Sequence, residues 1–294
     1  MKLSVAIPTY RREQVLLDTL AALRALEPAP LEILVVDQTE RHEPRTEEEL
    51  RALDTAGRIR WIRLSQPSIT RAMNVALALA RGDAVLYLDD DIRPEAQLFS
   101  GHLRAHAAHA DGLVAGRVIQ PWEEEPAPNP SPDARFRFSS TEAAWVREFM
   151  GGNFSVRRDV ALALGGFDEN FVRVAYRFEA EFAHRYCAMG ARILFEPGAC
   201  IHHLRAKSGG TRTWGDYLAT WRPDHAVGAY YFGLRTASPG VFVKRPLQAV
   251  ANRFHLNRPW RIPITLWSEA AGMLWALFLF ARGPRRLGTS TVDR

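Results

Sequence analysis

Cysteine is nearly absent: Cys187 and Cys200 are the only two in 294 residues. Their separation fits no zinc or redox motif, and two thiols cannot staple a chain this long. A disulfide scaffold and a zinc module are therefore excluded, and a reducing cytoplasmic compartment is expected. The opening "MKLSVAIPTY" has no apolar h-region and no small-residue cleavage site, so the first strand is expected to belong to the fold. Long apolar runs are missing too. Residues 262–283 contain Glu269 and only about a dozen uninterrupted apolar residues, fewer than a spanning helix needs. There is no internal repeat. No recognised nucleic-acid module accompanies the formal charge of +5, which argues against a nucleic-acid partner.

What is present points to one sizeable α/β body. A hydrophobic content of 47% is ample for a core. The charge is lopsided: residues 244–294 hold nine Lys/Arg against Glu269 and Asp293, a net +7, which leaves residues 1–243 near neutral at −2. Strand-like runs at 3–10, 31–37, 59–65 and 84–90 alternate with helical patterns at 12–26 and 70–81, and 45–57 reads as a solvated helix and turn. Strands apolar almost throughout, separated by amphipathic helices, predict a mainly parallel sheet covered on both faces. The segment "QPWEEEPAPNPSPD" (120–133) is too rich in proline and charge for helix or central strand, and predicts an exposed loop or lid between two functional halves.

The stretch "VLYLDDDIRP" places Asp89, Asp90 and Asp91 at the carboxyl end of a buried strand, where open α/β sheets bind ligands. Adjacent carboxylates repel and raise one another's pKa unless a cation or donors offset the charge. Mg²⁺ or Mn²⁺ takes one or two carboxylates and leaves its other positions to water and phosphate oxygens. Asp91 and Asp89 are therefore candidate metal ligands. The competing reading is a turn in which Asp91 caps the helix after Pro94.

With that motif at the fourth strand, residues 2–235 resemble family 2 glycosyltransferases of the GT-A fold. "VAIPTYRR" resembles the family's first strand and loop, and implies that Pro8, Thr9, Tyr10 and Arg11 approach the nucleotide; Arg11 stands where the family usually has Asn. "ILVVDQT" implies that Asp37 contacts base or ribose. "TRAMNVALALARGDAVLYLDDD" implies nucleotide-side roles for Arg71 and Asn74, with Asp89 and Asp90 at the sugar-nucleotide and Asp91 on the metal. "GGNFSVRRDVALALGGFDENF" implies Gly152 and Asn153 near the transferred sugar and Asp168 on the acceptor side. "RFEAEFAHR" implies that Glu179 is the catalytic base, with Glu181 a second acceptor contact. "IHH" implies one histidine ligand for the metal. Alternation along an extended segment admits one of His202 and His203 and leaves the choice open.

The resemblance implies an inverting enzyme that moves a sugar from a UDP-, dTDP- or GDP-linked donor to a saccharide or lipid-linked acceptor, using Mg²⁺ or Mn²⁺, in cell-surface polysaccharide or glycolipid synthesis. It implies a catalytic domain at 1–235, with a nucleotide half at 1–119 and an acceptor half at 134–212, followed by a basic, apolar helical extension at 236–294. "KSGGTRT" reads either as a loop closing on diphosphate through Lys207 and Arg212 or as a surface turn. The extension has tryptophans and basic flanks, so three partners are open for 244–286: a membrane surface on the cytosolic side, the catalytic domain, or a second subunit. Two other functions compete. A sugar-phosphate nucleotidyltransferase would carry a glycine-rich loop after the first strand, which "PTYRREQ" is not. A non-catalytic nucleotide-sugar or membrane-binding protein would tolerate loss of Glu179.

Overall fold

The computed structural model describes residues 1–109, 111–123, 136–211, 218 and 220–288. β1 (Leu3–Thr9), α1 (Gln14–Arg24), β2 (Glu32–Asp37), α2 (Pro44–Thr55), β3 (Arg60–Arg63), α3 (Ile69–Leu79) and β4 (Ala84–Leu88) alternate as the periodicity predicts. β1 runs parallel to β2 and β4, and β2 parallel to β3, giving the order β3-β2-β1-β4. Side chains alternate between the faces. Leu3, Val5 and Ile7 join Leu16, Leu20 and Leu23 of α1 on one side, while Ala6, Val36, Val85 and Tyr87 join Met73 and Leu77 of α3 on the other. Burial on both faces is why these strands are apolar nearly throughout. Each Leu or Ile withdrawn from water in this way contributes about 1.5–3 kcal/mol.

The second half turns the sheet from parallel to mixed. It comprises β5 (Ile92–Pro94), α4 (Leu98–Ala108), β6 (Leu113–Ile119), β7 (Ala144–Val146), β8 (Asn153–Arg157), α5 (Arg158–Ala163), α6 (Phe178–Ala188) and β9 (Ile193–His203). The order continues β4-β8-β6-β9-β5, with β7 also on β9. Among these, only β6 and β9 pair in parallel. "ARILF" and "CIHH" belong to one strand, β9, whose register against β6 shifts at Gly116/Arg117. Asp91 caps no helix: Ile92–Pro94 pairs with β9, and the next helix starts only at Leu98. The loop expected over 120–133 lies mostly outside the described residues, as does Arg212.

The chain ends in α7 (Asp224–Arg235), α8 (Val241–Val250), α9 (Arg253–Leu256) and α10 (Ile262–Ala281). Contrary to the expectation from the uninterrupted run, Pro259–Ala281 is helical over 23 residues and is long and apolar enough to cross a membrane by length and composition. Glu269 does not break it, because the carboxylate is buried against Tyr230 (2.8 Å) and Arg245 (2.9 Å). Past α10 the chain returns to the body, where Glu169 N–H donates to Arg285 O (2.8 Å) and Leu287 N–H to Gly165 O (2.8 Å).

Candidate active site

The three aspartates after β4 diverge. Asp90 turns inward, accepting from Thr9 Oγ1 (2.7 Å) and Arg12 Nε (3.1 Å). Asp91 accepts from Arg12 Nη2 (3.1 Å) and Ala206 N–H (2.8 Å). Asp89 stays at the rim with its side chain half exposed. Arg12 also donates to the carbonyls of Ala206 and Ser208, so one guanidinium ties the 206–208 loop to two carboxylates. Arg12 was not singled out in the sequence, and its only signal there is its place beside Arg11. In the structure, Arg11 has φ of 53°, is exposed and packs on Tyr10, while Arg12 is buried. Burial pushes the Asp90 carboxyl up to about 7 despite Arg12 and Thr9, and the neighbouring aspartates add to the rise. Burial would raise Asp91 as well, but His203, the Ala206 amide and Arg12 bring it below the usual carboxylate range.

Cross-strand register decides between the histidines. Ile92 pairs with His203, which sets His203 beside Asp91, with Nε2 3.3 Å from Asp91 Oδ1 and 3.9 Å from Asp89 Oδ2. Alternation sends His202 to the other face, where Nε2 meets Glu95 Oε1 at 3.1 Å. His202, expected as an alternative ligand, is thus away from the aspartates. Burial would lower the pKa of His203, but Asp91 and the charge of Asp89 raise it.

Asp89, Asp91 and His203 offer ligand atoms within 4.8 Å of one another. Two carboxylates and one imidazole suit Mn²⁺ or Mg²⁺ with positions left for phosphate. Gln120 Oε1 accepts from His203 Nδ1 (3.0 Å), fixing the tautomer that leaves Nε2 for a metal once the imidazole is neutral. Gly152 makes room for the rim carboxylate, since a Cβ there would strike Asp89. Gly152→Ala is therefore expected to leave stability within about 1 kcal/mol, because Asp89 can swing into solvent. The same change is expected to raise the Mn²⁺ concentration giving half-maximal turnover by about 10–100-fold.

Beside Gly151 stands Glu179. Arg177, at φ of 73°, turns the chain into α6, whose first turn carries Glu179 and Glu181. A Cβ on Gly151 would lie 3.8 Å from Glu179 Oε1, so Glu179 and Asp89 neighbour adjacent glycines. Glu181 is different. It is buried and held by Arg185 (2.8 and 2.9 Å) and Arg286 (2.9 Å), so the acceptor contact expected of it is corrected to a structural ion pair.

Four more expected contacts are occupied elsewhere. Asp37 is fully buried, accepting from Thr39 N–H (2.8 Å), His42 Nε2 (2.8 Å) and Trp61 Nε1 (2.9 Å). Burial alone would raise its pKa, but His42 and Thr39 bring it down. Asn74 binds Phe167 N–H (2.8 Å) and O (2.9 Å), pinning the glycine turn at 165–166. Asn153 is fully buried, donating to Arg117 O and Ala199 O and meeting His102 at 3.0 Å. Asp168 accepts from Tyr231 Oη (2.8 Å) and Arg285 N–H (3.0 Å), anchoring the chain end. All four side chains are buried and bonded within the protein. Pro8 and Tyr10 are half-buried on the β1 loop, and Arg71 is exposed on the first turn of α3. Gly210 N–H donates to Tyr10 O (2.7 Å), so the "KSGG" segment docks over that loop.

Comparison with known proteins bears on the family and the fold. The sequence profile of glycosyl transferase family 2 matches residues 4–165. A glucosyl-dolichyl phosphate glucuronosyltransferase of Haloferax volcanii is 25% identical over 218 residues, covering 69% of each chain. Among solved structures, the mannosyltransferase PcManGT of Pyrobaculum calidifontis, in complex with GDP-Man and Mn²⁺, aligns with a TM-score of 0.57 at 21% identity, over 96% of this chain and 79% of that one. S. aureus TarS in complex with UDP-GlcNAc gives 0.59 at 15%, over 96% and 92%. GalNAc-T7 with UDP, GalNAc and Mn²⁺ gives 0.61 at 13% over 79% of this chain, which spans about half the length of that structure. The fold of these neighbours is GT-A, and so is the fold here.

Proposed function

Since the chain belongs to glycosyl transferase family 2, we propose that it moves a hexosyl or deoxyhexosyl group from a nucleotide-diphosphate donor to an acceptor hydroxyl with inversion, in a single displacement. One observation carries this reading: Asp89, Asp91 and His203 cluster beside Gly152, and the carboxylate of Glu179 lies beside the adjacent Gly151. Such an arrangement fits a sugar lying over the two glycines with its diphosphate toward the aspartates. A divalent cation held by Asp89, Asp91 and His203 would supply Lewis-acid neutralisation of the departing diphosphate. Glu179 takes the proton from the acceptor hydroxyl, which attacks the anomeric carbon as the bond to phosphate breaks. Arg12 holds Asp91 and the 206–208 loop in place, and Thr9 holds Asp90.

The acceptor is read as lipid-linked, a reading suggested by the dolichyl phosphate relative. It places the protein at a membrane face in glycolipid or polysaccharide synthesis. The test is a screen of UDP-, GDP- and dTDP-sugars for nucleoside-diphosphate release with Mn²⁺ or Mg²⁺. At least one donor should turn over with the native chain and none with Asp91→Ala; release unaltered by Asp91→Ala would overturn the site.

A further inference from the structure

α10 is inside out. A surface helix normally buries its apolar stripe and wets its polar one. Here the buried positions are Thr265, Ser268, Glu269, Gly272, Ala276 and Leu279, while Leu266, Trp267, Leu274, Leu277, Phe278 and Phe280 face solvent. The inner face is small and polar because α10 lies directly on α7. A Cβ on Gly272 would meet Ala226 and the Val227 backbone, Ser268 Oγ donates to Arg222 O (2.9 Å), and Glu269 is held by Tyr230 and Arg245. Upstream, Val243 and Leu247 of α8, Leu256 of α9 and Trp260 are apolar and each more than half exposed.

Charge identifies the occupant. From residue 236 to 288 the sole acidic residue is Glu269, and it is buried. Lys244, Arg253, Arg258 and Arg282 stand exposed on the same segment. Arg258 lies over the Phe254 ring (4.9 Å) and Arg282 over Phe278 (5.4 Å), which sets cations at the edge of the apolar surface. We propose that the outer face of α8–α10 seats in the interface of an anionic lipid bilayer, with α10 lying in the membrane plane. At 1.5 Å per residue α10 is ~30 Å long, enough to cross. Crossing, however, would drag α7 and the Arg245–Glu269 pair into hydrocarbon, whereas an in-plane seat immerses only the outer face. A second copy is a poor occupant, since a two-fold pairing would oppose the same arginines with no acid to meet them.

This seat adjoins the site. Arg173 lies over the Trp275 ring of α10 (5.7 Å), Tyr176 stacks on His225 of α7 (3.6 Å), and Gly228 leaves no space for a Cβ against the Tyr176 carbonyl. Residues 173–177, with Arg173, Ala175 and Arg177 all at positive φ, lead directly into α6 and Glu179. A lipid-linked acceptor would thus arrive from the bilayer beside Glu179; this step alone rests on the reading of Glu179 as base.

The test is sedimentation of the full chain with phosphatidylcholine vesicles, with and without one-quarter phosphatidylglycerol, beside gel filtration with light scattering. Binding to the anionic vesicles is expected. It should fall at least tenfold in the Trp267→Glu/Phe278→Glu double variant, and about fivefold for each charge removed in Arg253→Gln and Arg258→Gln, with melting midpoints unchanged. Equal binding by native and double-variant chains would overturn the proposal. So would a dimer that the double variant splits without any vesicle binding, or fluorescence quenching that places Trp267 at the bilayer midplane. None of these readouts uses sugar transfer, so failure of the seat and failure of the enzymatic reading are told apart.

Discussion

Glu179→Gln is expected to lower kcat by roughly 10²–10⁴-fold while donor binding changes by less than about twofold. The substitution keeps shape and removes the proton acceptor. Glu179 lies beside Gly151 and does not belong to the Asp89, Asp91 and His203 cluster, so its loss is expected to leave the diphosphate end in place. The paired control is Glu181→Gln two residues on. That carboxylate is buried between Arg185 and Arg286, and its neutralisation leaves buried guanidinium charge uncompensated. Breaking one partner of such a pair costs about 3–5 kcal/mol. Glu181→Gln should therefore appear first in a urea melt, and Glu179→Gln in kcat. Full turnover by Glu179→Gln would remove that residue from the role of base.

Arg12→Met is expected to cost about 3–5 kcal/mol of folding stability, read from urea unfolding. The arginine is 8% exposed and its guanidinium contacts Asp90 and Asp91 at 3.1 Å each. Removing it leaves the buried carboxylates of Asp90 and Asp91 without the cation they share and frees the 206–208 loop, whose carbonyls it also binds. Lysine is a weaker substitute, because a single ammonium cannot fork to both acids and the loop carbonyls. An Arg12→Met chain as stable as the native one would mean that these acids are compensated by other groups.

The alternation of strands and helices through β4 was legible because both faces of those strands are buried and the helices are amphipathic, a local pattern. The aspartate motif was legible because three acids behind an apolar strand are unfavourable without compensation. What supplies that compensation was only half legible. Sequence reasoning left it to a cation or to unnamed donors, whereas Arg12 already spans two of the three acids, and a sequence does not say which of two adjacent arginines turns inward. The choice of His203 over His202 depends on its pairing with Ile92, more than a hundred residues away in the chain. Asn74, Asn153 and Asp168 occupy motif positions and read as ligand contacts, yet their side chains satisfy buried backbone groups. A polar residue meeting backbone and one meeting substrate look alike in one dimension.

The central claim is that Asp89, Asp91 and His203 hold a divalent ion that recruits the diphosphate. Its most direct test is calorimetric titration with UDP, GDP and dTDP, each in Mn²⁺ and in chelator. At least one nucleotide should bind tenfold or more tightly with Mn²⁺ to the native chain, and that gain should vanish in Asp91→Ala. Equal affinity with and without Mn²⁺ for all three, or a gain that survives Asp91→Ala, would contradict it.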